Sequence, residues 1–476
     1  MAEIYVTSTA DSGAGSLRQA IADAADGDVI LFDADVFPVG ETTSILLSSY
    51  IQVNKSVSIY GGFSDGQGGY TSGTTKLFYV YREVEGVKTK VYIDDNNPAL
   101  DGETVLFENV CRIALDGQNA VRCITSTSQG SHIFNIYGIE VRNGATTNGG
   151  GVYTSNTASC NLYDCTITNC VVTSNGGGVY FSSSNQNTLN DCTITGCSGN
   201  NGGGVYSAST SQNTLNGCTI TDCSATSGGG GVYSASTSQN TLNDCIFNGC
   251  SATSGGGYYV NTTGVTTFGS CVFDATSSLS FANTAQVAFA GGVTQMDATR
   301  LNAATFNFAD GAALTLTGAA TIGAATFASE GRGYLAVSAG IDTSSATLTN
   351  IVLCAYGADV SSFSEVDGVL EWEAANPTTT VLIERADGDS WSTVTQTSGE
   401  SLTLYLPPND VVRLFDGVQF FTATAPSQRT YYYIGGAEGS FTSAADWSLR
   451  RGGVAITEPP VVAGQRFIVG DISSGE

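Results

Sequence analysis

Several groups of side chains in this 476-residue sequence are of types that do chemistry. The candidate carboxylates fall into three sets: Asp94 with Asp95, Asp164 with Asp191 and Asp244, and Glu371 with Glu373. Two carboxylates a few ångströms apart are what glycoside hydrolysis requires, one to deliver a proton and the other to attack or to activate water. Arg112, Arg122 and Arg142 lie just before a long stretch, Ala145 to Thr299, that has neither Lys nor Arg. Thirteen cysteines raise disulfide or metal chemistry, but His132 is the only histidine and the C-x-x-C spacing is absent, so no metal site is expected. Each acidic set also has a plain reading. Asp94 and Asp95 belong to a turn-forming DDNN run, and Asp164, Asp191 and Asp244 stand beside Cys at strand starts with Gly217 interrupting their column. Glu371 and Glu373 alternate around Trp372, which puts both on one solvated face. No catalytic residue and no cofactor is expected from these sets, because none shows convergent groups around a pocket.

What must position these residues is a repeat. GGGVY occurs at Gly149 to Tyr153, Gly176 to Tyr180, Gly202 to Tyr206 and Gly229 to Tyr233, with GGGYY at Gly255 to Tyr259. The period is 27, 26, 27 and 26 residues. Between these blocks lie LYDCTITNC, LNDCTITGC, LNGCTITDC and LNDCIFNGC, from Leu162, Leu189, Leu215 and Leu242. Such a period marks a solenoid, whose coils bury apolar surface only against their neighbours. The L-x-x-C-x-I-x-x-C spacing also fits a leucine-rich repeat, which needs helix on its outer side. Here that segment is GGGVYSASTSQNT, and Gly, Ser, Thr and Asn are poor helix formers. The coils are therefore expected to be strands and turns, stacked in parallel about 4.8 Å apart.

Stacking converts the repeat into ladders. One inward column is Val152, Val179, Val205 and Val232, and another is Leu162, Leu189, Leu215 and Leu242. Cys165, Cys192, Cys218, Cys245 and Cys271 form a third, and Cys170, Cys197, Cys223 and Cys250 a further one, with Ile167, Ile194, Ile220 and Phe247 between them. These cysteines are read as free thiols packed as small hydrophobes, because in-register parallel neighbours rarely reach disulfide geometry. Alternation about the isoleucines turns Thr166, Thr168, Thr193, Thr195, Thr219 and Thr221 outward, where they could contact a ligand. Asn187, Asn213 and Asn240 are expected to form an amide ladder in a turn, and the glycine triplets to serve turns with positive φ.

The alternation of GGGVY with L-x-x-C-T-I-T resembles the right-handed parallel β-helix of bacterial surface proteins, among them autotransporter passengers and polymorphic outer-membrane proteins. Many such chains carry Asn where this one has Cys170, Cys197, Cys223 and Cys250. Asp11, Gly15 to Arg18, Ala20, Ile21 and Asp28 to Phe32 resemble the N-terminal cap that precedes β-helices in large bacterial surface proteins, followed by a first coil at VNKSVSIYGG from Val53. Ser16 is the expected N-cap of the short cap helix, with Leu17, Ala20, Ile21 and Ala24 on its apolar face. Near the end, Asp446, Trp447, Pro459 and Phe467 resemble a motif that opens repeats in giant secreted bacterial proteins, as if the chain were one slice of a longer array.

The expected fold class is thus all-β, a right-handed parallel β-helix solenoid with an N-terminal strand-helix cap and a small C-terminal β segment. The expected boundaries are 1–40 for the cap, 41–425 for the helix, with regular repeats over 149–259, and 426–476 for the last segment. After Cys271, Ala and Phe replace Cys and Ile, which predicts shorter or irregular coils, while the stretch from Asp367 to Pro408 fits either terminal coils or a small β insertion.

With 17 Lys and Arg against 43 Asp and Glu, the net charge of -26 disfavours nucleic acid and anionic membranes as partners. No run of eighteen apolar residues suggests a membrane span, and the first thirty residues do not read as a signal peptide. The resemblance implies an extracellular or cell-surface location and a structural or adhesive role, as a rigid stalk or display unit of a larger secreted protein. Partners would be glycans, a host or neighbouring-cell surface, or copies of the chain itself. The alternative is a β-helix polysaccharide lyase or hydrolase; a lyase needs an Arg or Lys base beside an acidic calcium cluster, and the regular repeat contains no such base. Two lesser alternatives are a self-assembling filament subunit, through the open sheet edges of a terminal coil, and an ice-binding protein, through the threonine flank.

Overall fold

The computed structural model describes residues 2–61 except 34 and 38–41, strand segments within 71–107, residues 112–427 except short gaps, and strand segments at 430–433, 447–448 and 466–468. The short gaps are 128–130, 184, 209–210, 236, 238, 262–263, 282–284, 298–299, 302–304, 319, 367–368, 405. Two compact units divide the chain: Met1–Gly333 with Ile341–Ile351, and Tyr334–Gly340 with Val352–Glu476.

The first unit is built of coils. One coil consists of the strands Val152–Asn156, Ala158–Tyr163, Thr166–Thr168 and Val171–Val172, separated by single-residue corners or short turns. Each strand pairs in parallel with its equivalent in the next coil. Val152 lies opposite Val179, then Val205, Val232 and Tyr258; Leu162 opposite Leu189, Leu215, Leu242 and Phe268; and Ile167 opposite Ile194, Ile220, Phe247 and Phe273. All of these are buried, because period-2 alternation sends every second side chain into the lumen. Among the described residues the coil strands form a 23-stranded sheet of two parallel columns, a ten-stranded sheet and a four-stranded sheet, apart from two small antiparallel sheets within 71–107. The four-stranded sheet is Ala145–Thr146, Val171–Val172, Ser198–Asn201 and Ser224–Gly228.

Beyond that short sheet the coils contract. Tyr258 pairs with Leu279, Ser280 with Arg300 and Leu301 with Ile322, steps of 21, 20 and 21 residues in place of 26 or 27. The interior changes with the circumference: Phe268, Phe289 and Phe308 continue the leucine column and Met296 and Leu316 the isoleucine column. Phe247 stacks on Phe273 at 4.4 Å and Phe306 on Phe327 at 5.0 Å, so rings fill the narrower core.

At the N-terminal end, Glu3–Val6 pairs in parallel with Val29–Phe32, which pairs with Ser58–Tyr60. Between the first two strands runs the helix Leu17–Asp23, with Leu17, Ala20 and Ile21 buried and the Ser16 hydroxyl accepting from the Gln19 N–H at 3.2 Å. Arg18 donates to Asp11 from Nε at 3.0 Å and Nη2 at 2.8 Å, and also reaches the carbonyl oxygens of Ser49 and Tyr50. One aspartate and one arginine thereby tie the segment before the helix to the chain thirty residues on.

The second unit differs from the expected helix over 41–425. From Val360 the strands are antiparallel: Val360–Val366 pairs with Val369–Ala374 and that with Ser401–Thr403, while Val381–Asp387 pairs with Ser390–Thr397 and with Val411–Phe415, which pairs with Phe420–Thr424. Hairpins replace coils because the connections here are short turns, such as the ones at Gly388 and Gly417 with positive φ, which reverse the chain rather than carry it round. Trp372, Leu370, Ile383, Leu406 and Leu414 form its core. Of the expected segment 426–476, the described strands are Thr430–Tyr433, antiparallel to Trp447–Ser448 and parallel to Arg466–Ile468.

Candidate functional site: the outer flanks of the coils

The threonines of the C-T-I-T phrase fall into two rows. Thr166, Thr193 and Thr219 are opposite one another and then meet Ile246, while Thr168, Thr195 and Thr221 lead to Asn248. Below them in the same rows stand Glu140 and Arg142. The threonines are partly to fully exposed around the buried isoleucines. Arg142 holds Asp116 at 2.9 Å, Glu140 at 3.4 Å and the Ser44 hydroxyl at 2.7 Å, and the Asp116 carboxylate also accepts from the Gln118 N–H and the Asn143 amide. One of the three arginines considered as a base, Arg142, is therefore tied up in an ion-pair network. Burial pushes the Asp116 carboxyl up, but the donors of Gln118, Asn143 and Arg142 outweigh it and hold it below the usual aspartate value.

The remaining sequence candidates are scattered. Asp94 and Asp95 lie outside the described residues. Glu371 and Glu373 are exposed on either side of buried Trp372 in the second unit, where Glu373 accepts from Ser361 at 3.2 Å. His132 is buried and shares a 2.6 Å hydrogen bond with Ser126. The side chain of Arg112 is not described, and Arg122 bonds neutral oxygens near Tyr153.

Asp164, Asp191 and Asp244 occupy corners with φ of 51, 52 and 53°, and Gly217 holds the same corner at 60°. The column thus selects residues that tolerate the left-handed region, which Asp and Gly share. Gly217 is also required by its neighbour, since a Cβ there would sit 2.3 Å from Asp191 Oδ1. The next corner repeats the device in opposite phase: a Cβ on Gly196 would meet Asn169 Oδ1 at 2.7 Å and one on Gly249 would meet Asp222 Oδ1 at 2.3 Å. Coils therefore alternate, Asp191 with Gly196, Gly217 with Asp222, Asp244 with Gly249.

The triplets also divide their work. Gly149, Gly176, Gly202, Gly229 and Gly255 have positive φ, the conformation expected of the whole triplet. The second and third members are instead fixed by crowding, for a Cβ on Gly178 would meet the Gly204 carbonyl oxygen at 2.7 Å. Asn187, Asn213 and Asn240 lie within strands and not in a turn, buried, with Asn187 Nδ2 donating to Asn213 Oδ1 at 2.9 Å and Asn213 Nδ2 to Asn240 Oδ1 at 3.1 Å. A second ladder joins Asn190, Asn216 and Asn243 at 2.8 and 2.9 Å. The tyrosine of GGGVY is a feature that reasoning about the buried valines passed over. Tyr153, Tyr180, Tyr206 and Tyr233 stack at 5.1, 4.9 and 5.1 Å, Tyr259 continues the row at 5.1 Å, and Arg122 lies 4.3 Å over the Tyr153 ring. Burial, then the neighbouring tyrosines, push the Tyr206 hydroxyl up to about 12. The recurrence of Tyr after every GGGV was its signal in the sequence.

The twelve described cysteines are free and buried. Each lumen thiol on the two columns donates to a carbonyl of the preceding coil, as Cys218 Sγ does to Leu189 O at 3.4 Å and Cys250 Sγ to Ile220 O at 3.3 Å. Burial pushes the thiols of Cys160 and Cys192 well up, which keeps them from acting as thiolate nucleophiles or ligands. Among the described residues no group of three or more His, Cys, Asp or Glu is placed to hold a metal ion, and no helix is long and apolar enough to cross a membrane.

Residues 119–308, which contain all of these ladders, match the family model described as a right handed beta helix region. The coils are a right-handed parallel β-helix. Among solved structures, the crystal structure of pectate lyase Pel9A is similar over 68% of this chain and 78% of that chain, at 12% identity and a TM-score of 0.38, a likeness too distant to bear on activity. No match is found among the curated proteins compared.

Proposed function

We propose that this β-helix is a structural module and not an enzyme: a rigid spacer or display unit of a secreted or cell-surface protein, whose flank contacts a glycan, another surface or a further copy. The observation that carries the reading is how the flanks are used. Along the regular coils three outward rows are spent on the coil above or below, the tyrosine stack, the Asn190 ladder and the Asp–Gly corners, while the threonine rows stay open to a partner. Arg142, at the foot of the threonine rows, is likewise held by Asp116 and Glu140. Such cross-coil bonding stiffens a rod, and the resemblance of the repeats and of the Asp11 to Phe32 segment to bacterial surface proteins, with that segment as a cap, supports the location.

Two measurements test this together. Antibody against the chain should label unpermeabilised cells of its source or their medium; labelling only after lysis would refute the location. Incubation with acidic and neutral polysaccharides, with and without calcium, should release neither unsaturated ends nor reducing ends. Turnover that disappears in Arg142→Gln would replace the structural reading with the lyase one.

A further inference from the structure

A half-buried guanidinium needs a counter-charge or a full set of acceptors. Arg18 has Asp11 at 2.8 Å, Arg142 has Asp116 at 2.9 Å, Arg385 has Asp410 at 2.5 Å, and Arg413 has Glu384 at 2.9 Å. Arg122 has no carboxylate among the described residues. Its Nε donates to the Gly149 carbonyl at 2.9 Å, Nη2 to that of Asn148 at 2.5 Å, and Nη1 to the Thr125 hydroxyl at 3.4 Å. With one face on Tyr153, the group keeps part of its N–H edge unspent, in a chain that carries 43 acidic residues against 17 basic ones.

Arg122 lines an open groove of about 630 Å³ together with Tyr50, Val121, Thr146, Val171 and Thr173. The groove follows from the coil count. Ala145–Thr146 is the first strand of the four-stranded sheet, and the coil below crosses the same corner by a tight turn in which Ala120 and Val121 donate to Gly117. The sheet therefore begins as an overhang above Tyr50 and Arg122. Tyr50 and Val171, which both line it, are 47% and 48% exposed.

We propose that this groove binds a small monocarboxylate with an apolar or hydroxylated body. The carboxylate takes the unspent N–H edge of Arg122, the body lies between Tyr50 and Val171, and the hydroxyls of Thr146 and Thr173 bond any hydroxyl it carries. One negative charge suits the site better than several, because the field of the whole chain repels anions in proportion to their charge. The site stands apart from the structural role proposed above and does not depend on it.

The test is titration of the full chain with benzoate and with benzamide, its neutral isostere, by calorimetry at low salt. Benzoate is expected to saturate, with benzamide weaker by about tenfold or more, a difference set by the charge alone. Arg122→Gln should lose benzoate binding, and Arg122→Lys should retain part of it. Val171→Glu, an exposed change that puts a carboxylate on the rim, should also abolish binding with the circular dichroism and thermal midpoint unchanged, and decides the matter if Arg122→Gln fails to fold. Equal titration by benzoate and benzamide, absence of saturation, or benzoate affinity that survives Val171→Glu would each overturn the assignment.

Discussion

Gly178 has no positive φ and is nonetheless held to glycine by the geometry of the next coil, since the Gly204 carbonyl oxygen would lie 2.7 Å from its Cβ. Gly178→Ala is expected to cost about 1–3 kcal/mol, the range for overpacking, measured by urea unfolding. Gly217→Ala suffers twice, from its φ of 60° and from Asp191 Oδ1, so Asp191→Gly in the same chain should recover the steric part and leave about 1 kcal/mol of backbone strain. Additive losses in the double variant would show that the carboxylate does not cover the glycine. Acid sensitivity also belongs to single residues. Burial raises the Asp11 carboxyl, but hydrogen bonds from Ser48 and Arg18 outweigh it and hold it below the usual value. A depressed folded pKa stabilises above the unfolded value, near 4, and that contribution is lost as pH falls through the folded one. Asp11→Asn should therefore lower stability at neutral pH and flatten the decline below about pH 4, measured by urea midpoints across pH.

At the scale of elements, the buried amide ladder is the most exacting feature. Asn213→Ala takes one of two acceptors from the Asn187 amide, which keeps the Asn185 carbonyl, and one of two donors from Asn240 Oδ1, which keeps the Ser207 hydroxyl, so a loss of about 1–3 kcal/mol in all is expected in equilibrium unfolding. A loss no larger than that of an exposed Thr219→Ala would count against the ladder. The fold class could be read because Gly, Ser, Thr and Asn exclude an outer helix and the period names a solenoid. The candidate flanks were only partly legible. Alternation about Ile167 and Ile194 places the threonines, but side-chain direction at a corner depends on a φ that composition does not reveal, which hid the phase relation of Asp191, Gly217 and Asp222. The end of the coils was hidden for a different reason. Strands such as Val369–Ala374 alternate as the coil strands do, and only pairing direction separates a hairpin from a coil.

For the molecule as a whole, the two units hold themselves together by different physics. The coils rely on repeated apolar and amide contacts, whereas the second unit contains a buried ion pair in which Glu384 meets Arg413 at 2.9 Å and the Tyr334 hydroxyl at 2.8 Å, with the guanidinium 4.0 Å over Trp391. Removing one member of such a pair typically costs about 3–5 kcal/mol. Glu384→Ala should thus abolish hydrogen-exchange protection over 360–424 while the coils of 149–260 keep theirs. The described thiols are buried throughout, so a thiol reagent should find almost none in the native protein and all thirteen cysteines once it is denatured.

The alternating corners also bear on how such a chain can be lengthened or trimmed by recombination. The pattern at Asp191 and Gly196 is restored only at Asp244 and Gly249, 53 residues on, so within these three coils the device returns with every second coil. Excising the coil between them would seat Asp191 directly beneath Asp244, as Asp164 already lies beneath Asp191, and Gly196 beneath Gly249, a glycine pair that the second corner does not have between Asn143 and Gly249.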